Sequence, residues 1–317
     1  MDRNISLDAL KLVMALMVVG IHSNFLLDVS ETFSFLTVNG LFRIAVPVFF
    51  IISGYYFFNA VQRSKEVLWL KRLVLLYLVW MIIYSFFWLN LSELSLIGGV
   101  KVVLTLVMGY HHLWFLPAML IAAFVLLFLK HNLTLLLVSM CLCAIVGVAL
   151  QYLRTYEVFP REGVGLVLNH IWSHRNALFF AFPFFSIGFL VKKYEEKIVL
   201  SNLSLTVLAL LGFAMLLMES WLNYSLGDQI NYFDNYISLL FFAPLLFLLC
   251  LRTSLKGSGK KISLYSAGVY FVHSGVLSVL RANFELGETL LAVLGIVISL
   301  ILTSFVIQLH KKFSFIL

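Results

Sequence analysis

The sequence predicts an all-α polytopic membrane protein, a bundle of ten transmembrane helices with one further helix lying in the membrane interface. Three observations carry that reading. Of the 317 residues, 62% are hydrophobic and only 12% charged, with a mean hydropathy of +1.03, whereas a soluble domain carries about a quarter charged residues. Apolar runs near the roughly 20 residues that cross a bilayer recur along the chain, separated by short polar loops. The Lys and Arg residues behind the formal charge of +7 collect in those loops and not on one basic face, which argues against nucleic acid as a partner. A soluble enzyme is excluded, and no stretch is left over for a sizeable aqueous domain. Residues 1–317 therefore read as one membrane domain.

The apolar runs fall at residues 8–27, 41–60, 70–90, 113–129, 133–152, 177–191, 200–218, 236–251, 262–280 and 289–309. The first follows Arg3 with no small-residue cleavage site behind it, so it is expected to stay as a spanning helix. Residues 94–110 are a further apolar stretch, but Glu93, Lys101 and Gly98-Gly99 interrupt it. Leu94, Ile97, Val100, Leu104 and Val107 recur there at helical spacing, which suits a helix in the interface.

The distribution of positive charge decides between ten and eleven spans, because one more crossing would reverse the side of every later loop. With ten spans and a cytoplasmic N-terminus, 15 of the 22 basic residues lie inside, among them Arg63, Lys65, Lys71, Arg72, Lys192, Lys193, Lys197, Lys260 and Lys261. Arg43, Lys101, Arg154, Arg161, Arg175 and Arg281 fall outside. Ten spans with both termini cytoplasmic is the arrangement expected. The external loops hold most of the acids, including Asp28, Glu31, Glu93, Glu157, Glu162, Glu219, Asp228, Asp234, Glu285 and Glu288. Acids and aromatic rings suit a sugar site, but each of these acids is read first as a solvated loop residue. Cys141, Cys143 and Cys250 all lie in apolar runs and read as small core hydrophobes, with neither a disulfide framework nor a metal site expected.

Chemistry begins in the first span, where Asp8, Lys11 and His22 interrupt an apolar helix at a cost that requires a protein interior or a wet cavity. Eleven steps of about 100° bring Lys11 and His22 to within about 20° of one face, about 16 Å apart along the axis. An imidazole can take a proton from a hydroxyl near neutral pH, whereas Lys suits an anionic group or a carboxylate. Snorkelling of Lys11 with Asp8 as partner, and a structural hydrogen bond at His22, are the bland alternatives. Arg43 precedes the run Phe49-Phe50-Ile51-Ile52-Ser53-Gly54, ordinary membrane packing in which Ser53 can hydrogen-bond across helices. His111-His112-Leu113-Trp114-Phe115-Leu116 opens the fourth span, Trp114 being the expected interfacial anchor, and one of the two His residues can reach the depth of His22. Tyr270-Phe271-Val272-His273 sets a further imidazole in the outer half of the ninth span.

These motifs, in this order and at about this spacing, resemble the acyltransferase 3 family of integral membrane O-acyltransferases. The resemblance covers essentially the whole chain. It implies transfer of an acyl group, usually acetyl from cytoplasmic acetyl-CoA, to a hydroxyl of a cell-surface glycan or its lipid-linked precursor, in the plasma membrane of a bacterium. Lys11 and His22 match the family's basic-x10-His motif, with His22 as the base and Asp8 three residues before Lys11. The family's pair of Arg residues four apart matches only in its first member, since Leu75 or Leu76 follows Lys71 and Arg72 where the second Arg is expected. Donor contacts are thus expected from Lys71, Arg72 and Arg63, with the loop lysines 256, 260 and 261 nearby, and acceptor contacts from Ser53, His112, Trp114, Tyr270, His273 and Arg43. A lipid-linked glycan exporter is the alternative, since it also needs about ten helices with acidic and aromatic outer residues.

Overall fold

The computed structural model describes residues 3–89, 95–226, 233–253, 255–257 and 259–317. Glu93, Leu94 and Asp228, and the side chains of Ile97 and Lys256, lie outside the described residues. The architecture is all-helical, apart from a two-residue antiparallel pairing of β1 (Arg3–Asn4) with β2 (Lys256–Gly257). The principal helices are α1 (Ile5–Ser23), α2 (Ala45–Gln62), α3 (Glu66–Ile83), α4 (Leu96–Met108), α5 (Phe115–Leu129), α6 (Leu133–Thr155), α7 (Phe182–Lys193), α8 (Asn202–Leu226), α9 (Leu239–Arg252), α10 (Lys261–Asn283) and α11 (Glu288–Lys312).

Seven of the described segments are long and apolar enough to cross a membrane: α1, Glu31–Gln62, His111–Leu129, α6, α8, α10 and α11. The count of ten is not reached, for three local reasons. The segment α3 has 18 residues but carries Glu66, Lys71 and Arg72. Only 12 residues of α7 are α-helical, extended backwards by a π-helical turn over Ala177–Ala181. Finally, α9 has 14 residues with Pro244 inside it. The stretch assigned to the interface does form a helix, and at 13 residues it is about 20 Å long, too short for a hydrocarbon core of roughly 30 Å. Cys143 and Cys250 are half-buried and pack against the core, whereas Cys141 faces outward and is not the core hydrophobe expected.

Helix ends are fixed by polar side chains that the sequence supplies at the right places. Asn4 accepts from Leu7 N at 3.2 Å and caps α1. Asn132 caps α6, and Asn176 accepts from Leu178 N and Phe179 N at the start of the π turn. Glu219, expected in solvent, instead accepts from Ile237 N and Ser238 N at 2.7 and 2.8 Å and from Tyr152 Oη, tying α6 and α8 to the entry of α9. The closest helix contact is that of α2 with α7. A Cβ at Gly54 would lie 1.9 Å from the Phe185 carbonyl oxygen, and one at Gly188 would lie 1.9 Å from that of Ile51, so only glycine permits this crossing. Around it the core is aromatic, with Phe50, Phe57, Phe182, Phe185 and Phe247 fully buried.

Candidate active site

Both ends of α1 carry polar side chains into the bundle. At its first turns Lys11 Nζ lies 3.1 Å from Asp8 Oδ1 and 3.5 Å from Ser263 Oγ on α10, with the Tyr56 ring of α2 at 5.3 Å. Eleven residues on, His22 lies in the last turn of α1, on the wall of a cavity of about 690 Å³. Val18, Arg43, His111, Trp114, Arg175, Asp234 and Arg281 also line that cavity.

Four imidazoles meet here. His22 lies 4.5 Å from His111 and 5.3 Å from His273, centroid to centroid, and His112 lies 4.9 Å from His273. Of the adjacent pair, His111 is the ring that reaches the cavity, whereas His112 is buried behind it among Tyr84, Tyr270 and His273. The chain turns sharply to arrange this, with Gly109 at φ 85° and His111 at φ 49°, left-handed values that cost a residue with a β-carbon. His111 Nδ1 is 3.0 Å from Ser274 Oγ. His273 Nδ1 contacts two carbonyl oxygens, of Val269 at 3.1 Å and Tyr270 at 2.7 Å. Carbonyls only accept, so Nδ1 carries the proton and Nε2 is left as the acceptor atom of the neutral ring. Tyr270 Oη donates to the His112 carbonyl at 2.6 Å and holds this corner together.

The facing wall is an ion network. Arg43 Nη1 binds Asp234 Oδ1 at 2.7 Å, Arg43 Nη2 binds Asn39 Oδ1 at 2.6 Å, and Arg175 Nη1 lies 3.6 Å from Asp234 Oδ2. The Gln151 side chain accepts from Asp234 N, and Arg175 rests over the Trp114 ring at 5.1 Å. Burial would raise the Asp234 carboxyl pKa, but Arg175 and Arg43 outweigh it and hold that carboxyl below its ordinary range. Burial pushes the neighbouring His174 down to about 4, so it is neutral. From the end of α10, Arg281 Nη2 donates to the His22 carbonyl at 2.7 Å.

Of the residues singled out for the acceptor, Arg43 and Trp114 line the cavity, while His112, Tyr270 and His273 pack behind His22. Ser53 donates to the Phe49 carbonyl within its own helix at 2.7 Å and is not part of the lining. At the opposite end of the bundle, Arg63 and Arg72 share a shallow pocket of about 170 Å³ with Asn59, Lys65 and Trp69, whereas Lys71 is exposed outside it. The expectation that one of His111 and His112 reaches His22 is met by His111, whereas Arg175, Asp234 and Arg281 stood in the sequence only as external loop charges. Among the described residues no group of three or more His, Cys, Asp or Glu is arranged to hold a metal ion.

An all-helical membrane bundle with imidazoles lining a polar cavity is the class these features define. The profile described as an acyltransferase domain matches residues 4–309, and the chain belongs to the acyltransferase 3 family. Among curated proteins it is similar to a serine/alanine racemase of Enterococcus gallinarum, 29% identical over 86% of this chain and 40% of that protein. It is also similar to an amino-acid racemase of Enterococcus faecalis, 25% identical over 96% of this chain and 46% of that protein. The chain thus spans less than half the length of these curated relatives. No solved structure matches it.

Proposed function

We propose that the protein moves an acyl group, acetyl from cytoplasmic acetyl-CoA, to a hydroxyl of a cell-surface glycan or lipid-linked sugar in a bacterial plasma membrane. The observation that carries this reading is the division of the bundle into a roomy cavity at His22 and a basic pocket at the other end. We take the His22 end as external and the Lys11 end as cytoplasmic, with ten crossings and both termini inside. Arg63 and Arg72, helped by Lys71, hold the CoA phosphates. Lys11 with Asp8 marks the lower end of the donor path. The pantetheine arm then has about 16 Å of α1 to follow before its thioester reaches His22.

His22 accepts the proton of the acceptor hydroxyl as the oxygen attacks the thioester carbonyl. The tetrahedral intermediate expels the CoA thiolate, which takes a proton from the His22 imidazolium, leaving an ester and free CoA. His273 packs against the His22 ring and is itself backed by His112, and Trp114 offers a face for a sugar ring. Racemase names belong to relatives of which more than half lies outside the matched region, and racemisation is not part of this proposal.

The test uses membranes supplied with radiolabelled acetyl-CoA, comparing the natural protein with His22→Gln and analysing surface glycans by mass spectrometry. Gln keeps a polar group of similar reach but is no base, so the rate should fall at least about a hundredfold at unchanged expression. A well-expressed His22→Gln protein that keeps more than roughly a tenth of the rate removes His22 from the mechanism.

A further inference from the structure

The cavity wall holds more guanidinium than its carboxylates neutralise by contact. Arg43 is engaged by Asp234 at 2.7 Å and by Asn39 at 2.6 Å. Among the described residues Arg175 has only the more distant Asp234 oxygen at 3.6 Å and the Trp114 ring. Arg281 donates to the neutral carbonyl of His22, and among the described residues no carboxylate lies within salt-bridge distance of it. Glu285 and Glu288 line the same cavity, yet among the described residues neither forms an ion pair there. Arg175 comes from the loop before α7 and Arg281 from the end of α10, so two unrelated elements bring a guanidinium to the His22–His111 pair. Both are close enough to act electrostatically on His111.

A C-terminal helix carbonyl explains part of this, because a cation is favoured at the end of α1. It does not explain the second guanidinium, nor why both border an open cavity. Guanidinium forks match carboxylate and phosphate oxygens, and a low-dielectric wall strengthens the attraction. Resting on the acyltransferase reading, we propose that this cavity takes an acceptor bearing a carboxylate or phosphate gripped by Arg175 and Arg281. The hydroxyl presented to His22 then belongs to an acidic sugar or a sugar phosphate.

The experiment measures binding of glucuronate, glucose 6-phosphate and glucose to the purified full chain in uncharged detergent, by saturation-transfer NMR and calorimetry. At least one charged sugar should bind about tenfold or more tighter than glucose, the carboxylate and phosphate arms telling which anion is preferred. Arg281→Gln and Arg175→Gln should each remove at least about fivefold of that preference, and Arg281→Lys should retain part of it. Should a Gln variant fail to fold, the natural protein still carries the test, because its preference must shrink as salt rises. Glucose binding as tightly as both charged sugars, or a preference indifferent to both salt and substitution, overturns the proposal. So does a fall in kcat with unchanged sugar binding, which would assign the two guanidiniums to the reaction's oxyanion. Anion preference without acyl transfer to any glycan would instead overturn the acyltransferase reading and leave this site standing.

Discussion

At the Lys11 end of the bundle the charged groups are near neighbours in sequence and, apart from the buried Asp8, more exposed. Asp8 and Lys11 are three residues apart, Lys192 and Glu195 likewise, and Arg72 stands exposed beside Arg63. At the His22 end the groups arrive from six separate places: α1, the turn before α2, the turn before α5, the loop before α7, the approach to α9 and the end of α10. There Arg43 and Asp234, 191 residues apart, are 6% and 8% exposed. A buried pair is costly to break because the survivor is stranded, whereas an exposed pair is nearly indifferent. The cavity is therefore built in advance by its walls, and the basic pocket is a surface that a polyanion can organise.

The sharpest way to break this contrast is to remove one carboxylate at each end. Asp234→Asn leaves Arg43 without its buried counter-charge and should cost about 3–5 kcal/mol in thermal unfolding in detergent. Glu195→Gln, whose partner Lys192 is 28% exposed, should cost at most about 1 kcal/mol. Equal losses would show that the two ends do not differ in kind.

A pH titration sharpens the same point. His174 has a folded pKa of about 4 against 6.5 for the free side chain, so the unfolded chain binds the proton more readily. Its contribution to stability is complete above pH 6.5 and is lost as pH falls towards 4, a loss on the order of 3 kcal/mol. Unfolding temperatures followed over that range should decline, and His174→Gln should flatten the decline. Below it, Asp234 adds a second loss as pH falls through its lowered folded value. An acid-insensitive protein would mean that this wall is wet.

A smaller effect belongs to the donor pocket. Arg63→Gln with Arg72→Gln should weaken acetyl-CoA binding by up to about tenfold, and the difference should fade in high salt, because exposed phosphate contacts are screened. Lys71→Gln should do less, since Lys71 lies outside the pocket. A salt-independent loss measured by equilibrium binding would place the donor elsewhere.

Much of this was legible in the sequence wherever the signal was local. The stripe of Asp8, Lys11 and His22 follows from helical spacing, and the helix at Leu96–Met108 from its periodicity. Two further parts had no local signature. Asp234 and Arg43 pair across 191 residues, and Glu219 caps a helix 18 residues ahead of it, so each acid looked like any other loop carboxylate. Which of His111 and His112 reaches the cavity was open for a different reason, since the positive φ values at Gly109 and His111 set how that turn presents the pair. The ten apolar runs exceed the seven long apolar helices where a π turn before α7 and Pro244 in α9 shorten the regular α-helix.

The first helix is anchored to the region around α10 at both ends. Below, β1 pairs with β2, Asn4 Nδ2 donates to the Leu251 carbonyl, Ser6 Oγ donates to that of Thr253, and Lys11 reaches Ser263; above, Arg281 grips the His22 carbonyl. Such a helix cannot slide or rotate without releasing contacts at two levels about 16 Å apart. A shift by a single turn, about 5.4 Å, would carry His22 past His111 and His273 altogether. The helix thus acts as a ruler clamped at both marks, holding constant the span that, in the proposed reaction, a donor of fixed arm length crosses to deliver its acyl group.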